Sequence, residues 1–167
     1  MINKLILNLP SHIASEFYIS KIEKLSLSDL KVKVTNKNSR NISTYLSIKE
    51  TPHFSFVESY ISGKKEKFSA GYRNYKEYNY YNEHHLDEIK FQKLIDNIIC
   101  NGFNDTNSKI VCLKNFYNPL INYFKVLDGS HRLAVISFLQ FKSVDVAIAN
   151  HKNNFFQRKL RIMKNSL

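Results

Sequence analysis

The sequence predicts an α+β fold in which helices pack on a mixed sheet, and three stretches carry that expectation. Asp87 through Gly102 is the clearest helix: Asp87 stands as its cap, Glu88 in its first turn, Phe91, Leu94, Ile95, Ile98 and Ile99 as its apolar stripe, and Asn101-Gly102 as its stop. Lys109–Leu113, Tyr123–Leu127 and Ser143–Ala149 read as short strands, with an apolar helical pattern over residues 130–140 between the last two. Leu30–Val34 and Ile42–Ile48 both alternate and are joined by a polar turn, which predicts a hairpin. The order helix, strand, strand, helix, strand after residue 86 gives a sheet of mixed strand directions.

The remaining elements follow from local chemistry. Ser11 is a candidate cap for a short helix running to Lys24. Thr51-Pro52 supplies a cap and a proline at the first helical position, and Phe54, Val57 and Ile61 fall on one face before Gly63 ends the helix. Residues 68–85 hold Tyr72, Tyr75, Tyr78, Tyr80 and Tyr81, the first three at helical spacing. They read either as a half-buried helix whose hydroxyls reach water, or as a stacking surface for a sugar ring or a base with Glu83, His84 and His85 as acid/base candidates at its end. His84 and His85 are adjacent, so on a helix they point about 100° apart and chelate one metal poorly. Asn153–Lys164 reads as a basic terminal helix with Phe155, Phe156, Leu160 and Met163 on its apolar side.

A chain of 167 residues supports a single core. Two parts are expected within it: residues 1–85 as an N-terminal extension of hairpin and tyrosine-rich helix packed on the core, and residues 86–167 as the core with its basic C-terminal helix. Twenty-five Lys and Arg against 14 Asp and Glu give a net charge of +11, which raises the expectation of a polyanionic partner. The charge is diffuse, and a lysine-rich solvated surface accounts for most of it. Cys100 and Cys112, without CxxC spacing, read as reduced residues at a buried helix end and in a buried strand. No apolar run reaches the ~18 residues of a membrane span, and Met1–Phe17 lacks the pattern of a signal peptide, so a cytoplasmic protein is expected.

Chemistry is written most sharply where the Tyr123–Leu127 strand breaks at Asp128-Gly129 into Ser130-His131-Arg132 and a helix. A helix that starts this way gathers backbone N–H groups, a partial positive charge and three polar side chains in one small volume, which suits a phosphate. The bland reading stands beside it: Asp128 as a turn residue, Ser130 as a helix cap, His131 as a partly buried histidine and Arg132 as half of an ion pair.

The span Leu86–Ala149 resembles the superfamily that joins the ParB N-terminal domain, sulfiredoxin and the free-serine kinases. Leu86, Asp87, Lys90, Gln92, Leu94, Asp96 and Ile98 follow sulfiredoxin's helix pattern, and Gly129-Ser130-His131-Arg132 stands where that family has G-C-H-R. The fold implied is a ParB/sulfiredoxin-like mixed sheet with a nucleotide-binding core. By position, the resemblance implies phosphate binding by Gly129, Ser130, His131 and Arg132, with Lys90, and with Lys93 and Asn97 in place of small hydroxyl residues. Ser130 replaces the sulfiredoxin nucleophile, and a hydroxyl cannot make the sulfur–sulfur linkage of sulfinate repair. The serine kinases carry D-G-H-T-R, with the same Asp-Gly start. The acidic, double-arginine box of ParB is absent.

The favoured expectation is a nucleotide-dependent phosphotransferase, using ATP or another nucleotide with Mg²⁺, on a small hydroxylated acceptor such as a sugar or a surface-glycan precursor. Asp128 would be the metal partner or base, His131 and Arg132 would neutralise charge, and Glu83, His84 or Asp87 would be a second base. The alternative is a ParB-like nucleic-acid-binding regulator that uses the net positive charge without catalysis.

Overall fold

Six strands, β1 (Phe17–Ser26), β2 (Leu30–Thr35), β3 (Ser43–Ser47), β4 (Ile110–Lys114), β5 (Phe124–Asp128) and β6 (Ser143–His151), hydrogen-bond into one sheet of order β1-β6-β4-β5-β2-β3. This is a computed structural model, and it describes residues 10–35, 43–63, 70–80, 86–104, 109–114 and 123–152. Glu83, His84, His85 and the terminal helix expected at Asn153–Lys164 lie outside the described residues. The helices are α1 (Ser11–Glu16), α2 (Pro52–Ile61), α3 (Ala70–Tyr80), α4 (Glu88–Asn101) and α5 (Ser130–Phe138). The mixed α+β class expected from the sequence is present. No helix among the described residues is long and apolar enough to cross a membrane.

The sheet mixes directions as its order requires. β4 runs parallel to β6 and β5 parallel to β2, while β1–β6, β4–β5 and β2–β3 are antiparallel. Strands from residues 17–47 therefore share one hydrogen-bonded sheet with strands from residues 110–151. One sheet face buries Leu30, Val32, Ile110, Cys112, Val126, Val144, Val146 and Ile148 against α2 to α5. The opposite face carries a smaller cluster, Ile13, Phe17, Ile19, Val111, Ala147 and Ala149. β4 is buried on both sides, with Val111 facing one cluster and Cys112 the other.

Several local readings shift. The helix expected over Ser11–Lys24 stops at Glu16, its N-cap is Pro10 and not Ser11, and Phe17 onward is strand β1. Pairing with β6 decides this, because it buries Phe17, Ile19 and Leu25, which a lone helix would leave half in water. On α2 the buried face is His53, Phe56 and Val57, rotated from the expected Phe54, Val57 and Ile61. On α4 the stripe is Phe91, Ile95 and Ile98; Ile99 and Cys100 are exposed, so Cys100 is not the core thiol expected. Cys112 is buried, and loss of water raises its thiol pKa to about 12.

Gly71 explains how closely α3 lies on α2. A Cβ there would stand 2.1 Å from the Ser55 carbonyl oxygen and 2.2 Å from Ser59 Oγ, so only glycine permits this approach.

Two isoleucines of α4, one buried and one exposed, test the burial pattern. Ile95→Ala, at a fully buried position, is expected to cost about 2–5 kcal/mol in urea denaturation. Ile89→Ala, 66% exposed, should stay within about 0.5 kcal/mol. Equal costs would contradict the packing of this helix.

Candidate functional site

β5 delivers the chain to the site. Its last residue is Asp128, and Gly129 then takes the left-handed conformation, φ 95°, as the N-cap of α5. Side chains rarely adopt that backbone, and here there is no room for one: a Cβ would lie 2.9 Å from Ile110 Cγ1 and 3.3 Å from Ile110 Cα on neighbouring β4. The first hydrogen bond of the helix is from Leu133 N–H to Gly129 C=O, so the Gly129 and Ser130 amides fall outside the helical ladder. Ser130 is half-buried at the first helical position.

Arg132 reaches back across this turn. Its Nη2 donates to Asp128 Oδ2 at 3.2 Å and to the Lys109 carbonyl at 3.3 Å. The Arg132 side chain is 16% exposed and that of Asp128 34%. One guanidinium thus ties the end of β5 and the entry to β4 to the first turn of α5. The ion pair allowed for in the sequence is present.

His131 points the other way, into the helical layer. The fully buried Tyr75 of α3 donates its hydroxyl to the Leu86 carbonyl at 2.6 Å, and its oxygen lies 2.6 Å from His131 Nε2. A phenol has one hydrogen, and Leu86 receives it, so His131 Nε2 must carry the hydrogen of the second bond. The imidazole sits edge-on to Phe91 at 4.7 Å and to His53 at 4.6 Å. His53, wholly buried on α2, also meets Tyr78 edge-on at 4.9 Å. Burial raises the pKa of the Tyr78 phenol well above its ordinary value, so it stays a neutral packing group.

The tyrosine stripe is therefore core and not a stacking surface: Tyr75 and Tyr78 are buried and Tyr72 half-buried against it. The Tyr75 hydroxyl meets protein groups where water was expected. Tyr75 and His53 are the residues that the sequence reading did not place at the site. For His53 a signal existed, since it shares a helical face with Phe56 and Val57 at i+3 and i+4.

The turn brings Arg132 onto Asp128 beside Gly129 and Ser130, whereas the His131 imidazole, expected in the same small volume, is turned to Tyr75 instead. The turn does not gather the α4 candidates. Lys90, Lys93 and Asn97 are exposed; Lys90 pairs with Asp87 at 3.0 Å and Asn97 accepts from Asn101 at 2.7 Å, so their contacts run along their own helix. Asp87 caps α4 by accepting from Lys90 N–H, and that bond, with the lysine side chain, holds its carboxyl below the ordinary value. Glu83 and His84 are outside the described residues. Among the described residues no three His, Cys, Asp or Glu side chains gather to hold a metal.

Fold and site define a mixed α+β protein whose strand–glycine–helix turn is locked by an arginine on one side and a histidine on the other. No family model matches the chain, and no curated protein or solved structure matches it either.

Two substitutions probe this geometry. Gly129→Ala should destabilise by about 1–3 kcal/mol from backbone strain alone, and by more if Ile110 cannot yield, read as a shift in the denaturation midpoint. Tyr75→Phe should cost about 1–3 kcal/mol by removing the bonds its hydroxyl makes with the Leu86 carbonyl and His131 Nε2. Long-range ¹H–¹⁵N spectra of the imidazole should show His131 protonated at Nε2; a ring protonated only at Nδ1 would refute the assigned bond.

Proposed function

We propose that this chain is a nucleotide-dependent phosphotransferase acting on a small hydroxylated acceptor such as a sugar, with the nucleotide phosphates docking at the start of α5. The observation that carries the reading is Arg132 at a left-handed glycine N-cap. Its guanidinium already engages a carboxylate, Asp128 Oδ2 at 3.2 Å, and a phosphate presents oxygens that compete for the same donors. The Gly129 and Ser130 amides and the helix dipole favour the same anion. This is the cradle that the resemblance to the ParB/sulfiredoxin superfamily implies for these positions.

In this reading, phosphate draws Arg132 away and leaves the Asp128 carboxylate to accept the proton of the acceptor hydroxyl. The hydroxyl oxygen bonds to the terminal phosphorus as the bridging P–O bond breaks, and the nucleoside diphosphate leaves. Mg²⁺ would neutralise phosphate charge. A lone carboxylate such as Asp128 suits an ion that keeps its remaining sites for water and phosphate oxygens. His131, held by Tyr75 and packed among aromatic rings, orients the first turn of the helix. A cytoplasmic location, where nucleoside triphosphates are supplied, goes with this reading.

The test is thermal melting with nucleoside di- and triphosphates, with and without Mg²⁺. A nucleotide at 100-fold its Kd adds about 2.7 kcal/mol, or roughly 5–11 °C for a chain of this size. Arg132→Ala should lose most of that shift, and Arg132→Lys should regain only part, since an ammonium lacks the planar fork. Asp128→Asn should keep the shift yet lose about 10²- to 10⁴-fold in phosphoryl transfer. A panel in which no nucleotide moves the wild-type midpoint, or moves Arg132→Ala equally, sinks the reading.

A further inference from the structure

The face of the sheet opposite α2 to α5 changes character along its width. Around β4 and β6 it is apolar, with Val111, Ala147 and Ala149 buried. Across β5, β2 and β3 it is basic and aromatic. Leu30, Val32 and Val126 point into the helical core, so their strand neighbours point the other way. Those neighbours are Lys31 and Lys33 on β2 and Lys125 on β5, with Tyr123 one step before β5.

The register brings them together. Lys31 is aligned with Lys125 across the parallel β2–β5 pair, and Lys33 lies opposite Tyr45 of β3. Lys125 Nζ sits 4.7 Å from the centre of the Tyr45 ring, and the Tyr45 and Tyr123 rings are 6.1 Å apart. Lys33 is exposed, while Lys31, Lys125, Tyr45 and Tyr123 are half-exposed.

This arrangement works against folding. Adjacent strands are about 4.8 Å apart, and like charges side by side on one face repel. The outward positions of β2, β3 and β5 are Lys, Thr, Ser, Tyr and Leu, with no carboxylate among them. The acids nearest to them in the sequence are Asp128, which accepts from Arg132, Asp29, which accepts from the Ser28 hydroxyl, and Glu50, which accepts from the Ser47 amide and hydroxyl. The Ser47 bonds are the main cause of the lowered Glu50 pKa, with Lys31 a minor one. Three ammonium groups flanking two phenol rings therefore form a cationic patch with no carboxylate at the outward positions of these strands among the described residues.

We infer that this face binds a single-stranded nucleic acid, with the Lys31, Lys33 and Lys125 ammonium groups on its phosphates and bases stacked on Tyr123 and Tyr45. Charge complementarity selects a polyanion, and the rings select one with flat unpaired bases. A duplex hides its bases in its own stack, and an acidic peptide has nothing to lay on a phenol face. The surface lies on the far side of the sheet from the Arg132 turn, and it stands whether or not that turn holds nucleotide.

Fluorescence anisotropy with labelled oligo-dT and oligo-U of about 12 nucleotides, titrated at several salt concentrations, tests this. Wild type should bind with affinity that falls steeply with salt. The double variant Lys33→Gln/Lys125→Gln should weaken binding and flatten the salt slope by about 1.4, near 0.7 per lost phosphate contact. Tyr123→Leu should weaken binding about 5- to 150-fold, the span of base–aromatic stacking, with little change of slope. Arg132→Ala should leave the affinity unchanged.

Circular dichroism melts confirm that each variant is folded; should Lys125→Gln not fold, Lys33→Gln and Tyr123→Leu carry the test. Unaltered binding by the folded variants would overturn the inference. So would loss of binding in Arg132→Ala, a blunt-ended duplex bound as tightly as the single strand, or displacement of the oligonucleotide by polyglutamate at equal charge.

Discussion

Where β5 turns into α5, the backbone of Gly129 lies against Ile110 of the neighbouring strand in a left-handed conformation. Much of the molecule depends on that approach. It sets the angle at which α5 leaves the sheet, and hence how Leu133, Ala134 and Ile136 reach the core. It also brings Arg132 to the side of β4, where one guanidinium nitrogen meets both the Asp128 carboxylate and the Lys109 carbonyl. A bulkier residue at 129 would push α5 outward and part those groups. The steric fit of one glycine therefore precedes the electrostatics of the turn.

The second constraint lies behind the turn, in the helical layer. Tyr75 joins three parts of the chain with one hydroxyl: α3 by its own backbone, the entry to α4 through Leu86, and α5 through His131. A buried carbonyl without a donor costs more than a made bond gains, so the phenol specifies the layer as much as it stabilises it. His53, His131, Phe91 and Tyr75 meet largely edge-on, the geometry that aligns a ring's positive edge with another's negative face. The close α2–α3 crossing at Gly71 is what lets Tyr75 extend that far.

Elements settled by near neighbours were legible in the sequence. Thr51 caps α2 with Pro52 in its first turn, Asp87 caps α4, and Asp-Gly ends β5, each decided within four residues. β1 was not, because Ile13 and Phe17 fit a helical period while Phe17 and Ile19 fit a strand. The partner that decides between them is β6, at the other end of the described chain. Sheet order escapes a linear reading for the same reason: parallel pairs such as β2–β5 join distant segments. The polar cluster at residues 128–132 was legible as a site, but the direction each side chain takes was not. His131 turns inward because Tyr75 waits there, and nothing near residue 131 in the sequence announces it.

The sheet carries two chemistries on one strand. Alternation along β5 sends Val126 into the helical core and Lys125 to the opposite face, while Asp128 ends the strand at the turn. The cationic patch and the glycine turn are thus a few residues apart in sequence but separated by the thickness of the sheet. Charge at Lys125 acts on the turn only across packed apolar side chains and the salt of the medium, and screening weakens exposed charges beyond about 8–10 Å. A net charge of +11 does not by itself select either surface. What distinguishes them is local: at the turn a carboxylate already engages the arginine, whereas the outward positions of β2, β3 and β5 hold three lysines with no carboxylate among them. An anion arriving at the first must compete with Asp128, and one arriving at the second relieves repulsion already present in the folded chain.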